Sequence, residues 1–206
     1  MSIEVIQEAV RSFYARKDPG HDCSHAMRVR NTAIYLADKE GGDRTVVELA
    51  ALLHDIGKET TLEKSHAGSS ASLAVTILQK YNYPGDIVEK VKHCVLAHTL
   101  EIEPQTLEAK IVFDADKLDF CGAMGLARLF SISGSEGKLI YSLPGVNDSS
   151  AEEVFETKLR FFPERLYTAT AKEILADHHQ FALEFWRRLR QQINGPITTN
   201  TKTRPD

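Results

Sequence analysis

The chain has 206 residues, of which 42 % are hydrophobic and 26 % are charged, and its net charge is -4. These proportions are typical of a globular domain with enough apolar surface for a proper core. The negative net charge disfavours a long nucleic acid as a partner, because no overall positive field holds a phosphate backbone. Small anionic substrates remain compatible with local positive groups.

The cysteines and the N-terminus indicate the compartment. Cys23, Cys94 and Cys121 are far apart and form no CxxC pair, so we expect reduced thiols. No apolar run approaches the about 18 residues that a membrane span requires, and residues 1–20 lack the pattern of a signal peptide. We therefore expect a cytoplasmic protein that does not act at a membrane.

Helical periodicity dominates the chain, and no segment alternates as a half-buried strand would. A first helix is predicted over residues 3–16, and a second runs from about residue 24 to Gly41-Gly42, since glycine often follows the last helical turn. Asp43 can cap a third helix that runs into His54 and Asp55. Further helices are predicted over residues 65–81, 85–98, 104–118, 120–130, 150–165 and 168–193.

Two segments do not fit this helical pattern. Residues 131–150 are rich in glycine and serine, and a structureless connection of that length predicts a functional lid or a disordered loop. Residues 194–206 are polar and predict a disordered C-terminal tail. The sequence thus predicts one all-α domain over residues 1–193, followed by a tail.

Side chains that can bind metals recur on the apolar faces of these predicted helices. His54 shares a face with Val47 and Ala50, and Asp116 shares one with Val112. In five separate segments the residues placed in this way are His25, His54, His66, His98 and Asp116. Burying a carboxylate is costly without a partner, and a divalent cation can compensate several such groups at once.

Each of these residues also has a purely structural interpretation. A single histidine on an apolar face is more often a hydrogen-bonded core residue than a ligand. Asp116 has Lys117 or Arg28 as a salt-bridge partner, whereas His54 and Asp55, directly after an apolar run, are harder to explain by packing. Periodicity alone therefore leaves a metal site and a structural network about equally supported.

A resemblance to a known family separates these alternatives. The runs HDCSHAMRVRN, LLHDIGK and FDADKLDFCGAMGLAR occur in this order. They resemble the HD-domain phosphohydrolases, and in particular a compact bacterial and archaeal subgroup with the pattern HDxxHxxRV, LLHDIGK and DADxLDxxGAxGxAR. An HD dipeptide alone is weak, but the ordered set is specific, and the likeness covers about residues 18–193. It implies an all-α HD-domain helical bundle.

The resemblance also implies a ligand set for one divalent ion, of which Mn, Fe, Co, Ni, Mg and Zn are all candidates. The implied ligands are His25, His54, Asp55 and Asp116. Asp114 competes with Asp116 for the last place, and the alignment of the ADKLD run favours Asp116. His21 lies in the motif but precedes the predicted helix, so we expect it to support the ligands or the structure.

Two further histidines leave the number of ions open. Some HD families bind a second metal through additional histidines, and His66 and His98 match their places. The alternative is that His66 and His98 bind substrate phosphate or order a bridging water.

Catalytic and substrate-binding candidates surround this set. Lys58, about one helical turn after His54, is the first candidate for a phosphate contact, although single-metal nucleotidase relatives carry an acid there. Asp119 is the candidate for orienting water or the metal's surroundings. Arg28 and Arg128 are candidates for substrate phosphate contacts, with surface ion pairs as the equal alternative.

The expected activity is therefore metal-dependent hydrolysis of a phosphoester or phosphoanhydride bond, in a nucleotide. Nucleoside triphosphate pyrophosphohydrolysis and nucleotide phosphomonoester hydrolysis both fit the resemblance. One alternative is a binuclear HD protein that hydrolyses dinucleotides or acts as an oxygenase. The other is a non-catalytic, nucleotide-binding regulatory protein. The sequence does not fix the oligomeric state.

Overall fold

The computed structural model describes residues 3–14, 20, 22–58, 66–143, 149–159 and 165–195. Over these residues the backbone is helices and turns, with one isolated bridge between Leu139 and Ser150. The all-α prediction is confirmed. The helices are α1 Ile3–Val10, α2 Cys23–Glu40, α3 Arg44–Leu53, α4 Ala67–Lys80, α5 Gly85–Leu96, α6 Leu107–Leu118, α7 Gly122–Ser135, α8 Ala151–Thr157 and α9 Ala169–Ile193.

Local capping chemistry fixes the ends of α2 and α3. The Asp22 carboxylate accepts a hydrogen bond from the backbone N–H of His25, and α2 ends at Gly41, whose φ of 82° suits glycine. Asp43 caps α3 as predicted, through hydrogen bonds from two backbone N–H groups. These caps place His25 in the first turn of α2 and His54 directly after the last turn of α3.

Helix α3 is the central helix of the main core. Residues 46–53 are all buried, and α3 packs against α2, α5 and α6. A helix that is apolar all round must be surrounded by other elements. The C-terminal end of α3 therefore delivers His54 and Asp55 into the middle of the protein.

A second hydrophobic cluster joins α7, α8 and α9. Trp186 of α9 is almost fully buried there and packs against Phe130 and Phe155. Helix α9 also contacts α2 and α6. The second cluster is thus attached to the main core along α9.

Several predicted boundaries were wrong. Helix α7 continues to Ser135, so residues 131–135 are helical rather than loop; Ser133 is buried on the same helical face as Leu126 and Leu129, and its polar side chain hides that periodicity in the sequence. Helix α8 ends at Thr157 rather than at 165, and α1 gives way to a 3-10 turn over Arg11–Tyr14.

Other predictions fall outside the described residues. These are the end of the first predicted helix (15–16), the segments 144–148 and 160–164, His21, and most of the predicted tail (196–206). Helix α9 ends at Ile193, which is also the proposed end of the domain. Because most of the predicted tail lies outside the described residues, the division into residues 1–193 and a tail stays a proposal.

Candidate active site

The structure brings six of the predicted residues together where α2, α3 and α6 meet the ends of α4 and α5. Their imidazole nitrogens and carboxylate oxygens form two groups of three, and within each group the ligand atoms lie within 4.8 Å of one another. We call His25, His54 and Asp116 the inner triad. We call Asp55, His66 and His98 the outer triad.

The inner triad is deeply buried. The Nε2 atoms of His25 and His54 are 3.2 Å apart, and they lie 3.5 and 3.8 Å from Asp116 Oδ1. All three side chains are buried.

The outer triad is built on the other side of Asp55. His66 Nε2 lies 3.0 Å from His98 Nε2 and 2.8 Å from Asp55 Oδ1, and His98 Nε2 is 3.4 Å from the same oxygen. The second oxygen of Asp55, Oδ2, is 3.7 Å from His25 Nε2 and 3.5 Å from His54 Nε2. Asp55 therefore offers one oxygen to each triad.

Hydrogen bonds behind the rings fix the tautomers of three histidines. The Nδ1 atom of His54 donates to the carbonyl of Ala51 at 2.8 Å, and that of His98 donates to the carbonyl of Val95 at 2.5 Å. His25 Nδ1 is 2.8 Å from the Asp119 carboxylate. With the ring proton on Nδ1, each neutral ring presents a lone pair at Nε2.

This arrangement fits a cation better than a hydrogen-bond network. The Nε2 lone pairs of His25 and His54 face each other beside the oxygens of two carboxylates, and none of these atoms is a donor to another. Such groups repel one another unless a positive ion lies among them. Mixed imidazole and carboxylate donors with oriented rings are characteristic of sites for divalent transition metals.

The protonation states agree with this interpretation. Burial lowers the pKa of His54 from 6.5 to about 4, so its imidazole is neutral at neutral pH. Burial by itself raises the pKa of Asp55, but the neighbouring His54, His66 and His98 outweigh it and lower that pKa well below the usual value. The pKa of Asp116 is also lowered, because Lys117 and the histidines outweigh the effect of burial. The neutral imidazole of His54 and the ionised carboxylates of Asp55 and Asp116 are the forms that bind metals.

Asp119 lies behind His25 rather than between the triads. Its carboxylate accepts hydrogen bonds from Arg28 Nε at 2.7 Å and Arg128 Nη1 at 2.6 Å, in addition to its contact with His25. Both arginines proposed for substrate phosphate are thus engaged by Asp119. Arg128 is buried and also donates to the carbonyl of Gly20, so its contact with a substrate phosphate stays a prediction.

A cavity of about 290 Å³ opens over the outer triad and Asp116, and we call it the metal-site cavity. Its lining comprises Asp55, Lys58, His66, His98, Thr99, Leu100, Glu101, Asp116, Lys117 and Phe120. Lys58 lies in the turn after α3, not on a continued helix, and its Nζ is 4.0 Å from Asp55 Oδ2.

The sequence did not identify Lys117 as part of this site. Its Nζ donates to Asp116 Oδ2 at 2.7 Å and to the carbonyl of His98 at 2.9 Å, so it links one ligand of each triad. The salt bridge to Asp116 was foreseen only as an alternative to metal binding, whereas in the structure the same carboxylate contacts Lys117 and lies within the inner triad. The position of Lys117 directly after Asp116 was the only signal in the sequence.

Asp114 is separated from the triads. Its carboxylate accepts hydrogen bonds from the backbone N–H groups of Tyr167 and Thr168 and from the Thr168 hydroxyl, just before α9. Asp114 therefore fixes the start of α9, while Asp116 faces the histidines.

Comparison with known proteins establishes the family. The model of the HD domain matches residues 23–121, a range that contains all six triad residues. The protein YpgQ of Bacillus subtilis is 32 % identical over 198 residues, which cover 93 % of this chain and 94 % of YpgQ. The chain belongs to the HD-domain family.

Solved structures of HD proteins extend this likeness to the fold. The crystal structure of Bacillus subtilis YpgQ in complex with ADP matches with a TM-score of 0.79 at 30 % identity, covering 94 % of this chain and 99 % of that one. An HD-superfamily hydrolase from Bacillus thuringiensis matches with a TM-score of 0.77 at 29 % identity, covering 94 % and 97 %. The resemblance noted in the sequence is confirmed, and the chain is a metal-dependent phosphohydrolase of the HD type.

His54 and Asp55 are the HD pair of this family member, and they are also the residues at which the two triads meet. HD domains bind divalent metals, and the two triads are the groups of the described residues that suit one. Within the same described residues, no helix combines the length and the apolar character needed to cross a membrane.

Proposed function

We propose that this HD protein hydrolyses a phosphoester or phosphoanhydride bond in a nucleotide, and that it uses two divalent ions. The main support for the proposal is the orientation of Asp55, whose two carboxylate oxygens face one triad each. The cavity above Asp55 is lined by Lys58 and Lys117. A carboxylate shared in this way suits a pair of ions. It favours the binuclear alternative over the single-ion site implied by the motif.

The residues assigned to each ion follow from the distances. His25, His54 and Asp116 would hold the first ion, His66 and His98 would hold the second, and Asp55 would contact both. When bound, divalent ions supply Lewis-acid activation of a phosphoryl group and of water. Asp119 would keep the His25 ring oriented, since partners of this kind hold ligand rings in place in metal sites.

The two lysines provide positive charge for the phosphate. Lys58 is partly exposed and lies at the edge of the metal-site cavity, where its ammonium can reach a phosphate held above Asp55. Lys117 keeps Asp116 ionised and in place through its 2.7 Å contact. Positive groups fixed near a transferring phosphoryl group stabilise the charge that develops on its oxygens.

A nucleotide is the proposed substrate because YpgQ, which is similar over nearly its whole length, was crystallised with ADP. The net charge of -4 agrees with a small substrate, since two lysines in one cavity attract a phosphate whereas the negative overall charge disfavours a polynucleotide. Triphosphate pyrophosphohydrolysis and phosphomonoester hydrolysis differ in which phosphate lies over Asp55.

A substrate screen with two readouts tests the proposal. Protein loaded with Mn²⁺, Mg²⁺, Co²⁺, Ni²⁺, Zn²⁺ or Fe²⁺ is assayed against nucleoside mono-, di- and triphosphates, cyclic nucleotides and dinucleotides, with phosphate and pyrophosphate measured separately. We expect turnover of at least one nucleotide and none by Asp55→Ala. Saturable nucleotide binding without turnover under every metal would overturn the proposal in favour of a regulatory protein. Oxygen consumption by the Fe-loaded protein would instead support an oxygenase.

A further inference from the structure

A second, larger cavity adjoins the metal-site cavity. It has a volume of about 480 Å³, and we call it the lateral cavity. Its lining comprises Leu100, Glu101, Ile102, Glu103, Phe113, Arg165, Leu166 and Tyr167. Leu100 and Glu101 line both cavities, so the two spaces meet at the segment between α5 and α6.

Phe113 and Lys117 connect the lateral cavity to the inner triad. These residues lie one helical turn apart on α6, and the Lys117 Nζ is 5.0 Å from the centre of the Phe113 ring. The same nitrogen is 2.7 Å from Asp116 Oδ2. A ligand whose phosphate lies over the triads can therefore place its next group in the lateral cavity.

The chemistry changes from one cavity to the other. The metal-site cavity carries Lys58, Lys117 and the triads, which favour an anionic group. The lateral cavity combines aliphatic and aromatic side chains with the carboxylates of Glu101 and Glu103 and the guanidinium of Arg165. The carboxylates can accept hydrogen bonds from hydroxyl or amino groups of a ligand.

Two aromatic rings of the lateral cavity are held in a fixed arrangement on which a nucleobase could stack. The rings of Phe113 and Tyr167 are 5.2 Å apart in an edge-to-face contact, and Tyr167 remains partly accessible. The guanidinium plane of Arg165 can also stack on an aromatic base. Aromatic side chains and arginine are the groups on which nucleobases stack in proteins.

Exposed apolar residues mark the rim of the lateral cavity. Leu100 is 57 % exposed and Ile102 is 40 % exposed. Neighbouring exposed apolar side chains beside a concave site are typical of ligand-binding surfaces. Thr99 lines the metal-site cavity, and its buried hydroxyl has no hydrogen-bond partner among the described residues.

We propose that the lateral cavity is the nucleoside subsite, which takes the base and ribose of a nucleotide whose phosphates lie over the triads. The proposal rests on the proposed function and adds the residues that recognise the substrate. A volume of about 480 Å³ lies within the range of roughly 300–1,000 Å³ that is common for small-molecule sites.

Ile102→Asp tests the subsite, with Leu107→Asp as its matched control. Both residues are exposed to a similar degree, 40 % and 37 %, but Leu107 does not line the lateral cavity. Each variant adds the same charge near the same end of α6. KM is measured with the best nucleotide and with inorganic tripolyphosphate, which has no nucleoside, and ADP affinity is measured by calorimetry.

We expect Ile102→Asp to raise KM for the nucleotide and Kd for ADP at least roughly tenfold, because it places a desolvated charge against the base. Leu107→Asp should leave both values unchanged, and tripolyphosphate kinetics should be the same in all three proteins. Tyr167→Leu should weaken ADP binding as well, because it keeps apolar volume but removes the stacking surface. Unfolding temperatures show whether each variant is folded.

The outcomes separate the two proposals. Nucleotide turnover with unchanged KM and ADP affinity in Ile102→Asp and Tyr167→Leu overturns the subsite alone. ADP binding without nucleotide turnover in the unmodified protein overturns the proposed function, and the ADP affinities of the variants still decide the subsite. Equal loss with nucleotide and tripolyphosphate in Ile102→Asp also overturns the subsite, because it would show general damage to the phosphate site.

Discussion

The inner and outer triads contain the same kinds of ligand but are held in different ways. In the inner triad, Asp119 and the Ala51 carbonyl contact the Nδ1 atoms of the two histidines, and Lys117 holds Asp116. In the outer triad, His66 makes both of its described contacts through Nε2, and its side chain is 21 % exposed. The inner triad is therefore preorganised, whereas the outer triad contains one ligand, His66, that is partly exposed and faces the metal-site cavity.

This difference suggests that the two sites differ in their affinity for an ion and in their distance from the substrate. Ligands that are fixed before the ion arrives bind it more tightly, since little ordering remains to be done. A partly exposed ligand beside a cavity allows substrate to share the coordination sphere. We infer that the inner ion is the more tightly bound and that the outer ion is the one closer to substrate.

The largest effect is expected from Asp55→Ala, because this change removes a ligand from both triads. We expect loss of most bound metal and a fall in kcat of at least about 10³-fold, or about 4 kcal/mol of barrier. Elemental analysis and steady-state kinetics measure the two effects.

Asp114→Asn is the matched control for that change. Asp114 is a buried aspartate close to the same site, but its hydrogen bonds go to Tyr167 and Thr168. It should keep its metal and its activity while losing some stability. Stoichiometric metal in Asp55→Ala would refute the assignment of both triads.

The sequence predicts the inner triad better than the outer triad. The inner triad could be predicted because its residues lie on strongly periodic helices with recognisable caps, such as Asp43 before α3. Periodicity also placed His66 and His98 on apolar faces, but they lie outside the single-ion ligand set that the motif implies, and a second ion and a substrate phosphate both suit them. The sequence therefore left their role open, and only the shared oxygens of Asp55 suggest a second ion.

Tertiary contacts explain what the sequence did not predict. The contacts of Lys117 depend on the approach of α5 to α6, which no local pattern encodes. Similarly, Asp119 forms ion pairs with Arg28, which is distant in sequence, and with Arg128. The sequence proposed both arginines as phosphate contacts, and it could not show that both would also contact this carboxylate. The length of α7 was underestimated because its last turns are rich in serine and glycine.

Acid should destabilise the metal-free protein through His54 of the inner triad. Its pKa is about 4 in the folded state and 6.5 ordinarily, so the unfolded chain binds more protons between these values. The free energy of unfolding should thus be fully retained above pH 6.5 and fall as the pH is lowered toward 4, by up to about 3 kcal/mol.

Urea unfolding of the chelator-treated protein at several pH values measures this effect. The carboxylates titrate in the lower part of the same window, so the test is the difference between the unmodified protein and His54→Gln. We expect a shallower pH dependence in His54→Gln. Parallel pH profiles for the two proteins would contradict a neutral, buried His54.

Replacing either histidine of the outer triad tests the number of ions. If His66 and His98 hold the second ion, His66→Ala and His98→Ala should each lower the metal content from about two to about one per chain. The rate should fall about 10²-fold, a smaller loss than in Asp55→Ala because the inner ion remains. Chelator titration of the unmodified protein should remove one ion before the other.

His93→Ala provides the control for these changes, since His93 lies on α5 and accepts a hydrogen bond from the N–H of Gln105 instead. Unchanged metal content with a raised KM would show that His66 and His98 bind phosphate. If metal content and kinetics both stay unchanged, neither role is correct.

The smallest effect is expected from Lys58, which lies beside Asp55 at the edge of the metal-site cavity. Its Nζ lies 4.0 Å from Asp55 Oδ2, a longer contact than that of Lys117 with Asp116. Lys58→Met keeps the aliphatic stem and removes the charge, so the metal content should be unchanged. Since an interaction made mainly with the developing phosphoryl charge appears in kcat, we expect kcat to fall roughly tenfold, which is about 1.4 kcal/mol, with little change in KM.

Lys92→Met, on the exposed side of α5, is the control and should leave kcat unaltered. A raised KM with constant kcat would instead assign Lys58 to ground-state binding of phosphate, and loss of metal would make it a support of Asp55 rather than a contact of the substrate.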